Sequence, residues 1–239
     1  MYKSNGTKID GINVFINSVN LDGNNKKFSQ LYNKIAPFYN LSQKIFYKFK
    51  FNGERNFRKD FLDKIIIKDN DIVLETSVGT ADNFYYLNKN AKYYGVDISM
   101  KMLKMGIKHA KKWKINSEFI CCEAENLPFN DNVFDVVYSC GGFNFYNNKE
   151  KAISEMIRVA KSGSKIFIID ETEKTVRDIY KNVPGKELYT AENANMPLQL
   201  IPKEMKNIKG EIICKGYMYI VSFDKWKKGF VLRITGLYA

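Results

Sequence analysis

The sequence predicts an α/β protein with a doubly wound, mainly parallel sheet. Three observations predict it: short apolar segments alternate with helical ones between residues 71 and 170, two of those segments end in a carboxylate, and the first turns at a glycine. Strands that alternate with helices are typical of parallel sheets covered on both faces. We expect a seven-stranded Rossmann-like sheet with an N-terminal helical cap and an antiparallel hairpin at its C-terminal edge.

The composition indicates one domain with additional elements. A chain of 239 residues with 45% hydrophobic content can form a full core. The longest apolar runs are too short to span a bilayer, and the first residues lack the apolar segment of a signal peptide. We therefore expect a cytoplasmic protein without a transmembrane segment.

The net charge of +12 raises the question of a nucleic-acid partner. Only five of the 38 basic residues are arginine, whose planar fork suits phosphate and base contacts better than lysine does. The lysines are spread along the chain. This pattern favours a solvated lysine surface over a nucleic-acid interface, and it leaves the oligomeric state open.

Cysteine and histidine are too sparse for a metal site or a serine–histidine–aspartate triad. Cys121, Cys122, Cys140 and Cys214 lack the paired spacing of zinc ligands. His109 is the single histidine and falls in a lysine-rich helical segment, where we expect it at the surface. We expect no metal site and buried free thiols.

Two regions precede the alternating core. Residues 1–27 are polar and rich in glycine and asparagine, which predicts a flexible arm that is either mobile or loosely docked. Residues 28–67 have the apolar spacing of amphipathic helices, interrupted at Pro37, and predict a helical cap. The aromatic residues expected to roof a pocket are Phe38, Tyr39, Phe46, Tyr47 and Phe49.

Residues 68–170 are the predicted α/β core. Ser99 is suited to cap its second helix, and Ser162-Gly163 to end its third. The predicted strands are 72–76, 92–97, 117–122, 134–139 and 164–170, and the predicted helices are 80–89, 99–113 and 148–160.

Residues 171–239 are predicted to form a lid region and the C-terminal edge strands. A helix over 173–180 would end at Pro184-Gly185. Residues 186–207 have little periodicity and predict a loop or lid with one short helix. Segments 211–214 and 217–223 predict a hairpin, and 226–239 either a further strand or a poorly ordered extension.

Carboxylates close the first two predicted core strands. Glu75 ends the first strand before a turn that contains Gly79, and Asp97 ends the second. Open α/β sheets bind adenosine with such a turn and with an acid that accepts the ribose hydroxyls. The glycines are too few for a pyrophosphate cradle, so an adenosine compound other than a dinucleotide is expected.

Five segments carry a family resemblance. Residues 73–81, 95–103, 122–129, 134–139 and 155–165 resemble, in order and spacing, the successive signatures of the class I S-adenosylmethionine-dependent methyltransferases. The resemblance implies a cofactor-binding core over 68–170, S-adenosylmethionine as cofactor and S-adenosylhomocysteine as product.

Within that class, the chain is most similar to the ubiquinone/menaquinone-biosynthesis C-methyltransferase group, also called methyltransferase type 11. Residues 32–40 resemble the helix before the first strand of that group, and residues 139–144 its loop after the fourth strand. The resemblance implies a small-molecule acceptor, for which an aromatic or quinone-like compound is one candidate. Related enzymes act on sterols, arsenite, phenols and amines, so the acceptor atom stays open.

The resemblance also implies the cofactor contacts. Glu75 would accept from the ammonium group, Asp97 from the ribose hydroxyls, and Glu123 would lie at the adenine edge. A glycine at position 79 lets the backbone pass close to the methionine moiety. The implied cofactor-binding residues are Glu75, Ser77, Gly79, Asp97, Ile98, Met102, Glu123, Ala124 and Ser139.

The chain departs from the family at four of its signature positions. Ser77 and Ala81 stand where glycine is usual or frequent, and Glu75 and Glu123 stand where aspartate is usual. The side chains at the turn stay small. Binding of the cofactor is therefore still expected, with Asp97 as its most secure contact.

Methyl transfer requires chiefly that the acceptor atom, the methyl carbon and the sulfur are held in line and that water is excluded. Polar groups expected near the transfer point are Tyr39, Asn144 and Tyr146. Cys140 could bind a soft acceptor such as arsenite, although a buried thiol is the simpler interpretation.

Two other functions stay open. The positive charge motivates an RNA or DNA methyltransferase, but residues 139–144 lack the Asn/Asp-Pro-Pro-Tyr/Phe loop that clamps a flipped base. The residues at positions 77 and 81 motivate a non-catalytic S-adenosylmethionine-binding protein.

Overall fold

A nine-stranded sheet forms the centre of the molecule. The computed structural model describes residues 1–16, 21–180, 183 and 185–226, with the backbone alone for 40–44 and 46. The strand order is β1-β2-β5-β4-β3-β6-β7-β9-β8. The elements are β1 (Thr7–Ile9), β2 (Ile12–Val14), α1 (Gly23–Phe51), α2 (Glu54–Leu62), β3 (Ile72–Thr76), β4 (Lys92–Asp97), α3 (Met100–Trp113), β5 (Ser117–Cys121), β6 (Phe134–Cys140), α4 (Lys149–Val159), β7 (Ala160–Glu171), α5 (Glu173–Asp178), β8 (Lys206–Ile213) and β9 (Met218–Asp224).

Seven of these strands form the predicted sheet. Strands β5, β4, β3, β6 and β7 are parallel, and β9 and β8 continue the sheet as an antiparallel hairpin. The central strands are apolar along most of their length, as expected where helices cover both faces of a parallel sheet. The α/β class, the parallel core and the edge hairpin are confirmed.

The N-terminal segment differs from the flexible arm that was predicted. Residues 1–16 contribute β1 and β2, and β2 pairs with β5 in parallel, which raises the strand count from seven to nine. Ile12 is fully buried, and the ring of Tyr2 stacks against both Phe15 and Phe129. These apolar contacts dock a segment whose polar composition suggested an arm. Residues 23–27 belong to α1.

Helix α1 runs through Pro37, where the sequence predicted an interruption. A proline inside a helix removes one backbone donor, a cost that tertiary packing can offset. Here Phe28, Ala36 and Phe51 are buried along the helix. The helix ends at Asn52, which has a left-handed conformation with φ 56°.

The helix predicted over residues 80–89 is wrong. The structure has only a short 3₁₀ turn at Asp82–Tyr85, entered from Ala81 at φ 61°. The side chains of Asp82 and Asn83 bind neighbouring polar groups and keep this segment in a turn. The other two core helices are close to their predicted bounds, and Ser99 caps α3 by accepting from the Met102 N–H.

The C-terminal part matches the prediction in outline. Helix α5 begins at Glu173 as expected, and β8 and β9 form the hairpin. Three 3₁₀ turns replace the single short helix expected between 186 and 207: Lys186–Leu188, Ala191–Asn193 and Leu198–Leu200. Pro184 and the tail from 227 to 239 lie outside the described residues. None of the described helices combines the length and the apolar character that crossing a membrane requires.

Candidate cofactor and acceptor site

A cavity of about 980 Å³ opens at the carboxyl ends of β3, β4, β6 and β7. Ligands bind at this edge of open α/β sheets because the loops leave a crevice there. Helix α1, together with Tyr180, Leu188 and Tyr189, forms the opposite wall. The cavity therefore has a sheet side, built from strand ends and turns, and a cap side, built from helices.

The turn after β3 brings backbone close to the cavity. Ser77, Gly79 and Ala81 all have positive φ, at 57°, 52° and 61°. A Cβ built on Gly79 would meet nothing within 4 Å, so the space above this residue is open. Ser77 and Ala81 adopt, at some conformational cost, a left-handed backbone that glycine adopts readily.

Asp97 connects this turn to the start of α3. Its Oδ2 accepts from the Gly79 N–H at 2.9 Å and its Oδ1 from the Ser99 N–H at 2.8 Å. Burial raises the pKa of this carboxyl. Each carboxylate oxygen keeps a second lone pair, so the group can also accept from the two hydroxyls of a ribose.

Glu75 is buried at the end of β3 and lines the cavity. Its carboxylate accepts from Asn83 Nδ2 at 2.5 Å and from the Tyr138 hydroxyl at 2.8 Å. Burial raises the pKa of Glu75 to about 8. The carboxyl is therefore held in a fixed orientation beside the turn.

Arg58 on α2 is a cavity residue that sequence reasoning missed. Its Nε donates to Glu54 Oε1 at 2.8 Å, and its guanidinium also donates to Asn83 Oδ1. Asn83 in turn donates to Glu75, so a buried polar chain connects the cap to the sheet. In the sequence, the i, i+4 pair of Glu54 and Arg58 resembles an ordinary exposed ion pair, which is why it gave no signal.

The predicted adenine end needs one correction. Ile98, Met102 and Ala124 line the cavity as expected, but Glu123 does not. Glu123 accepts from Asn25 Nδ2 at 2.8 Å, and Glu125 takes the place on the cavity wall.

Glu125 presents an unused acceptor to this end of the cavity. Its Oε1 accepts from Asn25 Nδ2 at 3.1 Å and from the Asn147 N–H at 2.9 Å. Its Oε2 is buried and has no hydrogen-bond partner in the described part of the chain. A ligand hydroxyl or amino group would satisfy this oxygen, which is what the ribose and adenine of the expected cofactor offer.

Below the turn, four hydroxyl groups converge. The Tyr146 hydroxyl lies 2.7 Å from Ser77 Oγ and 3.2 Å from Ser139 Oγ, and donates to Thr76 Oγ1 at 3.1 Å. Tyr146 lines the cavity, whereas Ser139 does not. Burial raises the pKa of Tyr146, so its phenol stays protonated and suits positioning better than proton removal.

Asn144 is not among the cavity-lining residues, which corrects its prediction. Its amide donates to the Glu171 carbonyl at 2.8 Å, and its oxygen accepts from the Tyr219 hydroxyl at 2.8 Å. Both polar atoms of the side chain are thus engaged within the protein. The structure indicates a structural role in fixing the loop after β6.

The cap side of the cavity contains a group that we call the acceptor chamber: Tyr32, Tyr39, Glu171, Tyr180 and Tyr189. All five line the cavity. The rings of Tyr180 and Tyr189 are 4.1 Å apart, and those of Tyr32 and Tyr39 are 6.0 Å apart. Tyr39, a predicted site residue, is brought to the cavity, whereas Glu171 was missed although it directly follows a predicted strand.

The rest of the predicted aromatic roof is only partly realised. Tyr47 is buried and lines the cavity. Phe38 also lines it but is 73% exposed, so it lies at the rim, and Phe49 is 83% exposed and outside it. The side chain of Phe46 lies outside the described residues.

The expectations for histidine, cysteine and metals have mixed outcomes. His109 is partly buried, and its Nδ1 lies 3.1 Å from Asp82 Oδ1, which raises the pKa of the histidine, so it is not a simple surface residue. Cys121, Cys122 and Cys214 are buried thiols, and Cys140 lies on the cavity wall, where burial raises its pKa. The described ranges contain no group of histidine, cysteine and acidic side chains able to hold a metal ion.

Comparison with known proteins agrees with this geometry. Residues 74–168 match the family described as Methyltransferase domain. Over these residues the chain is therefore similar to a methyltransferase domain. The match implies S-adenosylmethionine as the cofactor, and three features fit it: the lone pairs of Asp97, the open space above Gly79 and the unpartnered oxygen of Glu125.

One relative matches a longer part of the chain than the methyltransferase domain does. The chain is 30% identical over 154 residues to the demethylmenaquinone methyltransferase of Thermotoga maritima. The matched region covers 63% of this chain and 64% of that protein. It therefore spans just under two thirds of the length of that relative.

Two solved structures share the fold of the methyltransferase domain. One, from Thermotoga maritima, is described as a methyltransferase dependent on S-adenosylmethionine and a possible histamine N-methyltransferase. It has a TM-score of 0.61 and 17% identity, and covers 82% of this chain and 99% of that one. The other is the cyclase SpnF, with a TM-score of 0.62, 14% identity and coverage of 90% and 98%. At these identities the likeness is one of fold alone.

Proposed function

We propose that this protein transfers the methyl group of S-adenosylmethionine to a small aromatic, quinone-like molecule by in-line displacement. The observation that supports the proposal best is the division of one cavity into two adjoining parts. The sheet side has the carboxylates and the open turn that suit the cofactor, and the cap side has the tyrosine walls of the acceptor chamber. The likeness to a demethylmenaquinone methyltransferase supports a quinone-related acceptor.

In this proposal the chain's own residues mainly bind and orient. Asp97 and Glu125 hold the adenosine part, and Glu75 accepts from the ammonium group. Tyr146 and Tyr39, which both line the cavity, position the reacting groups, while the aromatic walls exclude water. The cofactor supplies an electrophilic methyl group, so the protein needs no covalent intermediate.

A transfer assay tests the proposal. Purified protein is incubated with S-adenosylmethionine labelled in its methyl group and with a panel of hydroquinones, phenols, amines and a structured RNA. We expect label in the reduced naphthoquinone or phenol fractions. Transfer to RNA alone, or binding of S-adenosylhomocysteine without transfer to any class, would contradict it and favour one of the two alternative functions.

The cellular location is also a proposal. We place the protein in the cytoplasm, which agrees with four cysteines that are all free thiols in the structure. A small-molecule acceptor does not require a second macromolecule, and a nucleic-acid partner is not part of the proposal.

A further inference from the structure

We propose that Glu171 binds and deprotonates a hydroxyl group on the aromatic ring of the acceptor. This inference rests on the proposed function and specifies its substrate class as hydroxylated aromatic rings. The position of Glu171 in the cavity supports this role. Glu171 is the last residue of β7, two strands away from the turn after β3, and lines the cavity at its cap side.

The carboxyl group of Glu171 has one oxygen in use and one unused. Its Oε1 accepts from the Tyr180 hydroxyl. Its Oε2 is buried and has no hydrogen-bond partner among the residues that the structure describes. A buried carboxylate oxygen without a donor is costly, and a hydroxyl group of a ligand in the chamber would remove that cost.

The neighbours of Glu171 favour its action as a proton acceptor. Burial raises the pKa of Asp170, the adjacent acid, while the Gly142, Asn144 and Glu171 N–H groups donate to its carboxylate and favour the charged form. Burial first, and this neighbouring charge second, hold the pKa of Glu171 well above its usual range. A carboxylate with a raised pKa is a better base for a weakly acidic hydroxyl than an ordinary one.

The surroundings distinguish a ring hydroxyl from an alkyl one. Tyr180 donates to Glu171, and Tyr32, Tyr39 and Tyr189 line the same cavity, so apart from the adjacent Asp170 the carboxyl lies among aromatic walls. Such walls suit stacked or edge contacts with a flat ring. A flat ring that donates a hydrogen bond to Oε2 satisfies both features at once.

The proposed step begins at the ring hydroxyl of the acceptor. Oε2 takes the hydroxyl proton, and the electron pair of the O–H bond increases the nucleophilicity of the ring carbon beside the oxygen. That carbon bonds to the methyl group, while the electrons of the methyl–sulfur bond stay with sulfur. The methylated carbon then loses its proton to water, and Glu171 returns its proton to the ring oxygen, so that one proton is released overall.

A binding experiment tests the inference without turnover. The affinities of 1-naphthol and of 1-methoxynaphthalene, which cannot donate a hydrogen bond, are measured calorimetrically in the presence of S-adenosylhomocysteine. Mildly alkaline pH is used because it increases the ionised fraction of Glu171. We expect wild-type protein to prefer the naphthol about tenfold, as a hydrogen bond to a charged acceptor allows. Glu171→Gln should reduce the preference to about one, because the amide can serve either ligand.

Glu187→Gln is the matched control, since Glu187 is an exposed glutamate on the same cavity wall. It should keep the wild-type preference. Thermal melting and S-adenosylhomocysteine affinity of Glu171→Gln should match wild type, which separates recognition from a loss of folding. The preference of wild-type protein for 1-naphthol over 1-methoxynaphthalene can be measured even if no variant folds.

The outcomes separate this inference from the proposed function. Failure of wild-type protein to bind S-adenosylhomocysteine would contradict the proposed function. If wild-type protein binds S-adenosylhomocysteine but has equal affinity for 1-naphthol and 1-methoxynaphthalene, the role of Glu171 is overturned and the proposed function is not. Tighter binding of 1-naphthylmethylamine than of 1-naphthol would overturn the assignment to ring hydroxyls.

Discussion

The two sides of the cavity are built in different ways. On the sheet side, Asp97 is held by the backbone N–H groups of Gly79 and Ser99. On the cap side, Glu171, Tyr32, Tyr39 and Tyr189 come from segments far apart in the chain. Local backbone geometry therefore fixes Asp97, whereas long-range packing shapes the cap side.

The largest effect on stability is expected in the buried polar chain that connects the cap to the sheet through Arg58 and Asn83. Arg58→Met leaves the partly buried Glu54 and the buried Asn83 without their donor. Removing one partner of a buried ion pair should lower the free energy of unfolding by about 3 kcal/mol. Urea denaturation measures it. The exposed neighbour Arg55→Met serves as control and should change stability little. Equal effects of the two variants would show that the buried polar chain is unimportant.

A second prediction concerns how tightly the turn packs against the loop after β6. A Cβ at Gly142 would lie 2.4 Å from Ser77 Oγ. Gly142→Ala should therefore cost about 2 kcal/mol through overpacking. In a Ser77→Gly background most of that cost should disappear. Denaturation of the four proteins in this double-mutant cycle gives the coupling, and additive effects would argue against the contact.

The third prediction tests whether α1 contributes to the sheet side. Asn25 donates to both Glu123 and Glu125. Asn25→Ala should weaken S-adenosylhomocysteine binding about tenfold, since two hydrogen bonds to carboxylates are lost. Asn24→Ala is the matched control, because Asn24 does not line the cavity and its backbone N–H, which donates to Asn147 Oδ1, is kept in the variant. Calorimetry should find the control near wild type, and a similar loss in both variants would contradict the prediction.

The fourth prediction uses the buried carboxyl of Glu75. Its pKa is raised from 4.5 to about 8 in the folded protein, so the folded state binds the proton more tightly than the unfolded state. The stability of wild type relative to Glu75→Gln should then fall as pH rises from about 5 to about 8, by roughly 1 kcal/mol per pH unit. Unfolding of both proteins across this pH range measures the difference in their free energies of unfolding. A difference that stays constant with pH would exclude the raised pKa of Glu75.

These two sides also explain what could be predicted from the sequence. The strand ends Glu75 and Asp97 and the turn at Gly79 depend on local sequence, and the structure brings them to one cavity. Glu123 was misplaced by two residues because Asn25, a residue of a distant helix, decides which of two acids faces the cavity. Arg58 and Glu171 could not be recognised, since only packing of α2 and of the cap gives them a buried environment.

The N-terminal hairpin illustrates the same limit. Its polar composition predicted an arm, whereas Ile12 and the stacked ring of Tyr2 attach it to the sheet. Pro37 and the segment 80–89 likewise show packing and side-chain hydrogen bonds overriding local propensity.

The central claim is that the sheet side binds S-adenosylmethionine through Asp97. The most direct measurement is calorimetric titration of S-adenosylhomocysteine into wild type, Asp97→Ala and the exposed control Asp63→Ala. We expect binding by wild type and control, and a loss of at least about 100-fold in Asp97→Ala, which removes the acceptor of two backbone N–H groups and of the ribose hydroxyls. Equal affinity of all three proteins, or no binding by wild type, would contradict the account.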